Sequence, residues 1–257
     1  MEEKYIICED SLEGIFTAIY DAYALREGHE HIHVQVGEEE NYRLFASYLY
    51  SRPDSVKTEK VVCTLKSRLG EEVYLTICRA AAFCSHYYSD KGEAIYRTVV
   101  EGITGGNGRR TMENLRDPYV ARTFELARRT ANEAHHEIEF LRFQELEQGI
   151  LYAKIGPENN VLSFIMPHFA DRLASENFMI HDEKRGLFGV HPAREEWYLV
   201  SGVYEFLQDS LKWSQKERGY QELFALFHKT IAIGERKNSR LQQQMLPLRF
   251  RNYMVEF

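Results

Sequence analysis

Between Phe140 and Val200 the chain carries five short strand-like stretches with turn residues between them, and this constrains the fold more than any other feature. Phe140-Leu141-Arg142-Phe143 and Gly149-Ile150-Leu151-Tyr152-Ala153-Lys154-Ile155 read as two strands joined by a turn. Phe178-Met179-Ile180-His181-Asp182, Leu187-Phe188-Gly189-Val190 and Glu196-Trp197-Tyr198-Leu199-Val200 read as three more, with Lys184-Arg185-Gly186 as the hairpin turn between the first two of these. Strands this short and this close together predict a small, mostly antiparallel sheet, because a parallel pair needs a long crossover.

The N-terminal half reads differently. Tyr5-Ile6-Ile7-Cys8 is a short strand, and Ser11 then offers an N-cap to a helix whose Leu12, Ile15, Phe16, Ile19, Tyr20 and Tyr23 recur at helical spacing. Gly28 closes it, and His31 to Val36 alternates polar and apolar residues as a half-exposed strand does. His29, His31 and His33 invite a metal reading, but no nearby cysteine or carboxylate in the sequence completes a set, so polar strand surface is expected. From Glu39 to about Glu101 the pattern is helical throughout, beginning with a helix that ends near Arg52-Pro53. The glycines between Gly102 and Arg110 forbid regular structure, and a hinge is expected there. A long helix follows from about Asn114 to His136, and another from Asn160 to Leu173, with Pro167 kinking it or starting a new one. The remainder from about Tyr204 is helical. The expected fold is therefore α+β. A mainly helical region with short strands covers 1–104, and 105–257 carries a sheet flanked by helices.

With 44% hydrophobic and 13% aromatic residues over 257 positions, the chain can bury a substantial core, which excludes extended disorder. No apolar run is long enough to span a membrane, and Met1-Glu2-Glu3-Lys4 lacks the basic-then-apolar order of a signal peptide. A cytoplasmic location without membrane partners is expected. Cys8, Cys63, Cys78 and Cys84 form no CxxC pair, so buried free thiols are expected rather than a zinc or iron–sulfur site. Neither a metal nor a cofactor is expected. The net charge of −7 is uneven: residues 1–60 hold 6 Lys/Arg against 13 Asp/Glu, and residues 212–257 hold 9 against 4. A basic C-terminal tract on an acidic body points towards a polyanion.

The chemistry-bearing groups concentrate in Pro167-His168-Phe169-Ala170-Asp171-Arg172 and Ile180-His181-Asp182-Glu183-Lys184-Arg185-Gly186. Four residues apart, His168 and Arg172 share a helix face, and a helix start at Pro167 would attract a phosphate. His168 or His181, with Asp182, are the candidate acid/base groups. Successive strand residues face opposite ways, so His181 and Asp182 are not automatically a dyad. The alternative is that each histidine fixes a loop by donating to a backbone carbonyl. Near the C-terminus, Arg236, Asn238, Arg240, Gln242, Arg249 and Tyr253 are candidates for contacting phosphates and bases. The alternative there is a pair of docking helices burying Leu241, Met245, Leu246 and Phe250.

These segments also carry a resemblance. Asp10-Ser11-Leu12-Glu13-Gly14-Ile15-Phe16 near the start, Glu133-Ala134-His135 with Leu141-Arg142-Phe143, and His168-Phe169-Ala170-Asp171-Arg172 with Ile180-His181-Asp182 and Arg185-Gly186 all contribute. So do Asn238-Ser239-Arg240-Leu241-Gln242, Leu246-Pro247-Leu248-Arg249-Phe250 and Tyr253-Met254. Together they resemble a bacterial family of DNA repair or DNA metabolism proteins of uncharacterised mechanism. The resemblance implies a genomic neighbour, a radical-SAM repair protein, as partner. It also implies that some relatives carry a uracil-DNA-glycosylase-like domain, which is not expected here because the sequence stops at Phe257. No CxxxCxxC occurs, so the partner's cluster is not expected on this chain. The leading expectation is a DNA-binding protein in which His135, Arg142, Arg172, Arg185, Arg236, Asn238, Arg240, Gln242, Arg249 and Tyr253 meet nucleic acid or phosphate. The alternatives are a nucleotide- or nucleic-acid-processing enzyme using a His/Arg/Asp pocket, and a protein–protein adaptor built on the acidic N-terminal half.

Overall fold

A computed structural model describes residues 2–37, 43–84, 90–106, 108–202, 212–231 and 238–254. The chain divides into two compact units, residues 1–132 and 133–257.

In the first unit, β1 (Glu3–Cys8) is the central strand of a three-stranded parallel sheet, between β2 (Ile32–Val36) and β3 (Ala46–Ser51). Helix α1 (Leu12–Ala24) starts where expected, with Ser11 Oγ accepting from the Gly14 N–H at 2.9 Å. Its Ile15, Phe16 and Ile19 are fully buried with Ile6 and Ile32, and each such side chain contributes roughly 1.5–3 kcal/mol. Helices α2 (Ser55–Leu69), α3 (Glu71–Ala81) and α4 (Lys91–Thr104) complete this layer. The expected helix ending near Arg52 is instead strand β3; its proposed start at Glu39-Glu40 lies outside the described residues. Phe45, Tyr48 and Leu49 supply an apparent helical period, yet the aromatic-rich Tyr48-Leu49-Tyr50 suits an edge strand, and parallel pairing with β1 decides it. Lys91, at the start of α4, is fully buried. Its ammonium donates to Asp10 and to the carbonyls of Ala81 (3.1 Å) and Phe83 (2.6 Å).

The long helix α5 spans Pro118–Phe140, later than expected at both ends. Asp117 Oδ1 accepts from the N–H groups of Tyr119 and Val120, and Pro118 occupies the first helical position, where its missing N–H costs nothing. Because the helix continues to Phe140, the strand expected at Phe140–Phe143 does not form. Strand β4 is only Gln144–Glu145.

The second unit holds a mixed five-stranded sheet in the order β4-β5-β6-β7-β8, with β5 at Leu151–Ile155, β6 at Phe178–Asp182, β7 at Leu187–His191 and β8 at Tyr198–Ser201. All neighbours are antiparallel except β5 and β6, which are parallel and joined through α6 (Leu162–Arg172). Ile165, Met166 and Phe169 of α6 pack on Ala153, Ile155, Phe178 and Ile180, with Ala134 and Leu141 in the same cluster. The other face of the sheet buries Tyr152 and Phe188 with Leu146. Helices α7 (Gln215–Ile231), α8 (Ser239–Met245) and α9 (Leu248–Arg251) follow. The class is thus α+β, as the periodicities predict. Among the described residues no helix is long and apolar enough to cross a membrane. Cys8 and Cys78 are buried thiols, pushed up to about 12 and about 11 by burial, whereas Cys63 is exposed, contrary to expectation.

Candidate functional site

The polar centre of the second unit starts on α5. Its buried stripe contains Leu126, Thr130 and Ala134 but also two acids, Glu133 and Glu137, each 3% exposed. One helical turn apart, they lie on the same face. Glu133 is an acceptor: Oε1 takes the Glu158 N–H at 2.9 Å, and Oε2 takes the Asn159 N–H at 2.8 Å and the Asn159 side-chain amide at 2.6 Å. This fixes the loop after β5 against the helix. Arg249 of α9 reaches the same place, with Nη1 3.5 Å from Glu133 and 3.0 Å from Glu158. Phe250 anchors α9 by packing against His136 and Phe140.

No hydrogen bond or ion pair to a described side chain satisfies the Glu137 carboxyl. Burial pushes it up to about 8, and the neighbouring Glu133 carboxylate adds to the effect while Arg249 opposes it. Glu137 is therefore a carboxylic acid that holds its proton at neutral pH, next to an acid used as an acceptor and to a half-exposed guanidinium. Such an arrangement can donate a proton to a developing anion or leaving group.

Asp182 ends β6 on the sheet face shared by Phe178 and Ile180, and it is fully buried. Its Oδ1 accepts from the Lys184 and Arg185 N–H groups, and Oδ2 accepts from Arg185 Nη1 at 3.0 Å. Arg185 also donates to the carbonyls of Pro157 and Glu158. Burial raises the Asp182 carboxyl, while Arg185 opposes the rise. Beside this turn the Tyr253 hydroxyl donates to Glu183, and Lys154 pairs with Glu183. Burial alone would raise Glu183, but its bonds to Lys154 and Tyr253 hold it below the usual carboxylate range. Tyr253 comes so close to Gly156 that any side chain there would collide with its ring.

His181 faces the opposite side of the sheet. It is 2% exposed, stacks on Phe188 with centroids 4.2 Å apart, and its Nδ1 lies 2.9 Å from the Tyr152 hydroxyl. Burial, aided by the Lys154 cation, lowers it to about 4, so it is neutral and sealed from solvent. His168 and Arg172 lie on the exposed side of α6, and no hydrogen bond or ion pair among the described residues joins them to the cluster. Pro167 sits inside α6 rather than starting a helix, so the anion site expected at its N–H groups is absent there. His135 is an exposed partner of Glu139, and Arg142 donates to the carbonyls that end α5. Asn238 caps α8 through Leu241 N–H, with Arg240 and Gln242 exposed on that helix. Arg236 lies outside the described residues.

The structure thus gathers Asp182, Arg185, Arg249 and Tyr253 around Glu133 and Glu137, two acids with no place among the sequence candidates. Two glutamates on the buried stripe of an amphipathic helix were the available signal. In the first unit, His31 and His33 both meet Glu3, and His33 also meets Glu93 at 3.1 Å. Those carboxylates come from distant positions that spacing could not reveal. Among the described residues no group of three or more His, Cys, Asp or Glu is placed to hold a metal ion.

The fold and cluster define an α+β protein whose second unit is organised around buried carboxylates and two arginines. The chain belongs to DUF4130, a family named for a domain of unknown function, whose model matches residues 89–256. No curated protein matches the chain.

Proposed function

We propose that this chain is a DNA-binding protein of DNA repair or DNA metabolism that works with a radical-SAM partner. One observation carries the reading: residues 238–254 contain Arg240, Arg249 and Arg251 and no acidic residue, on a chain whose net charge is −7. Arg249 is engaged by carboxylates, so backbone phosphates fall to the exposed Arg240, with the exposed Arg172 of α6 as a second candidate. The exposed Tyr220, Leu223, Phe224 and Phe227 of α7 favour a protein partner beside the nucleic acid. Fluorescence anisotropy with single- and double-stranded DNA across a salt series tests the reading. The wild type binds with a steep salt dependence, and Arg172→Ala/Arg240→Ala lowers the slope of log K against log salt by about 1 for each phosphate no longer neutralised. An unchanged slope and affinity in that variant would refute the assignment.

A second reading, a nucleic-acid-processing enzyme, is favoured by Glu137. A neutral buried acid beside Arg249 suits proton donation to a departing base or phosphate oxygen. His181, sealed in the sheet, then has a positioning role rather than contact with substrate.

A further inference from the structure

A cavity of about 320 Å3 opens between α1, α2 and α4 in the first unit. That volume lies at the lower end of small-molecule sites, which span about 300–1,000 Å3. Its floor is apolar: Ile19, Leu65 and Val99 are each 2% exposed or less. What sets it apart from an ordinary packing defect is the charge at its rim. Lys60 and Arg68, both from α2, stand at the cavity and have no ion-pair partner among the described residues, while no described acidic residue lines it. Lys60 lies 5.4 Å from the Tyr20 ring centroid, which keeps its ammonium over the entrance. Two cations without an ion-pair partner among the described residues, on a wall to which no described acid contributes, favour an anion.

We propose that this cavity binds a small amphipathic anion. An apolar body rests on Ile19, Leu65 and Val99, and a carboxylate-like head meets Lys60 and Arg68. Charge and shape select together: a neutral chain gains only burial, and a cationic one is repelled at the entrance.

The test is isothermal titration calorimetry of the full chain with decanoate, with decanol and decylammonium as neutral and cationic counterparts. Decanoate binds saturably with one site, decanol more weakly and decylammonium weakest. Lys60→Ala/Arg68→Ala weakens decanoate by about tenfold or more, about 1.4 kcal/mol per tenfold step. Thr64→Trp, an exposed position at the entrance, abolishes binding with an unchanged Tm. Absence of saturable decanoate binding would overturn the proposal. So would decanoate affinity that is equal in the wild type and Thr64→Trp, or equal for decanoate and decylammonium.

Discussion

Glu137 makes the stability of this protein depend on pH in a direction opposite to the usual carboxylate. An unfolded chain ionises this side chain near the ordinary 4.5, but burial in the folded state defers ionisation to about 8. Between those values the native state binds more protons than the unfolded one. Glu137 therefore favours folding fully below pH 4.5, and the contribution is lost as pH rises towards 8. At about 1.4 kcal/mol per tenfold change in proton affinity, the displacement sets a ceiling of roughly 5 kcal/mol. Relaxation around the ionised group makes about 2–3 kcal/mol a reasonable expectation. Glu137→Gln keeps the shape of the neutral acid and cannot ionise. Urea unfolding at pH 5.0 and pH 8.5 should give nearly equal stabilities for wild type and variant at the lower pH. At the higher pH the variant should be more stable by about 2–3 kcal/mol. Asp182 is also raised by burial, but it is present in both proteins and cancels in the comparison. Parallel stability curves for the two proteins would refute the reasoning, since they would mean that Glu137 ionises without penalty in the folded state.

Lys91→Ala removes the ammonium shared by Asp10 and the carbonyls of Ala81 and Phe83; the partly exposed Asp10 stays hydrated, so the loss is mainly that of the charged donor to the two buried carbonyls, about 2–3 kcal/mol. A loss below about 1 kcal/mol in urea unfolding would show that these groups are satisfied otherwise. His181 behaves in the reverse sense to Glu137: its folded value is lowered from 6.5 to about 4, so the stability it contributes is present above pH 6.5 and is lost as pH falls towards 4. Replacing both members of the pair, His181→Phe with Tyr152→Phe, should flatten the acid limb of the Tm profile, by up to roughly 3 kcal/mol at pH 4. An unaltered acid limb would place the acid sensitivity elsewhere.

Local rules in the sequence determined much of the scaffold. The Ser11 cap, the stripe of Ile15, Phe16 and Ile19, and the hairpin at Lys184-Arg185-Gly186 follow from spacing and turn chemistry, and all occur where those rules place them. The α+β class follows from the same periodicities. Where reading by segment failed, a long-range partner had the deciding vote. Ala46–Ser51 is a strand because β1 offers a parallel edge, and Phe140 stays in the last turn of α5, where its ring packs against Phe250. The site followed the same division. The sequence concentrated attention on Asp182, Arg185, Arg249 and Tyr253 from residue type alone. It could not show that His181 turns into a dry face of the sheet while Asp182 turns towards the opposite one. Nor could it show that Glu133 and Glu137, ordinary surface residues by composition, are buried beside Arg249. A carboxyl's proton affinity depends on what surrounds it within a few ångströms, and here those surroundings come from α5, the loop after β5 and α9. Only the tertiary structure brings together groups more than a hundred residues apart, and with them the charge balance that leaves Glu137 protonated.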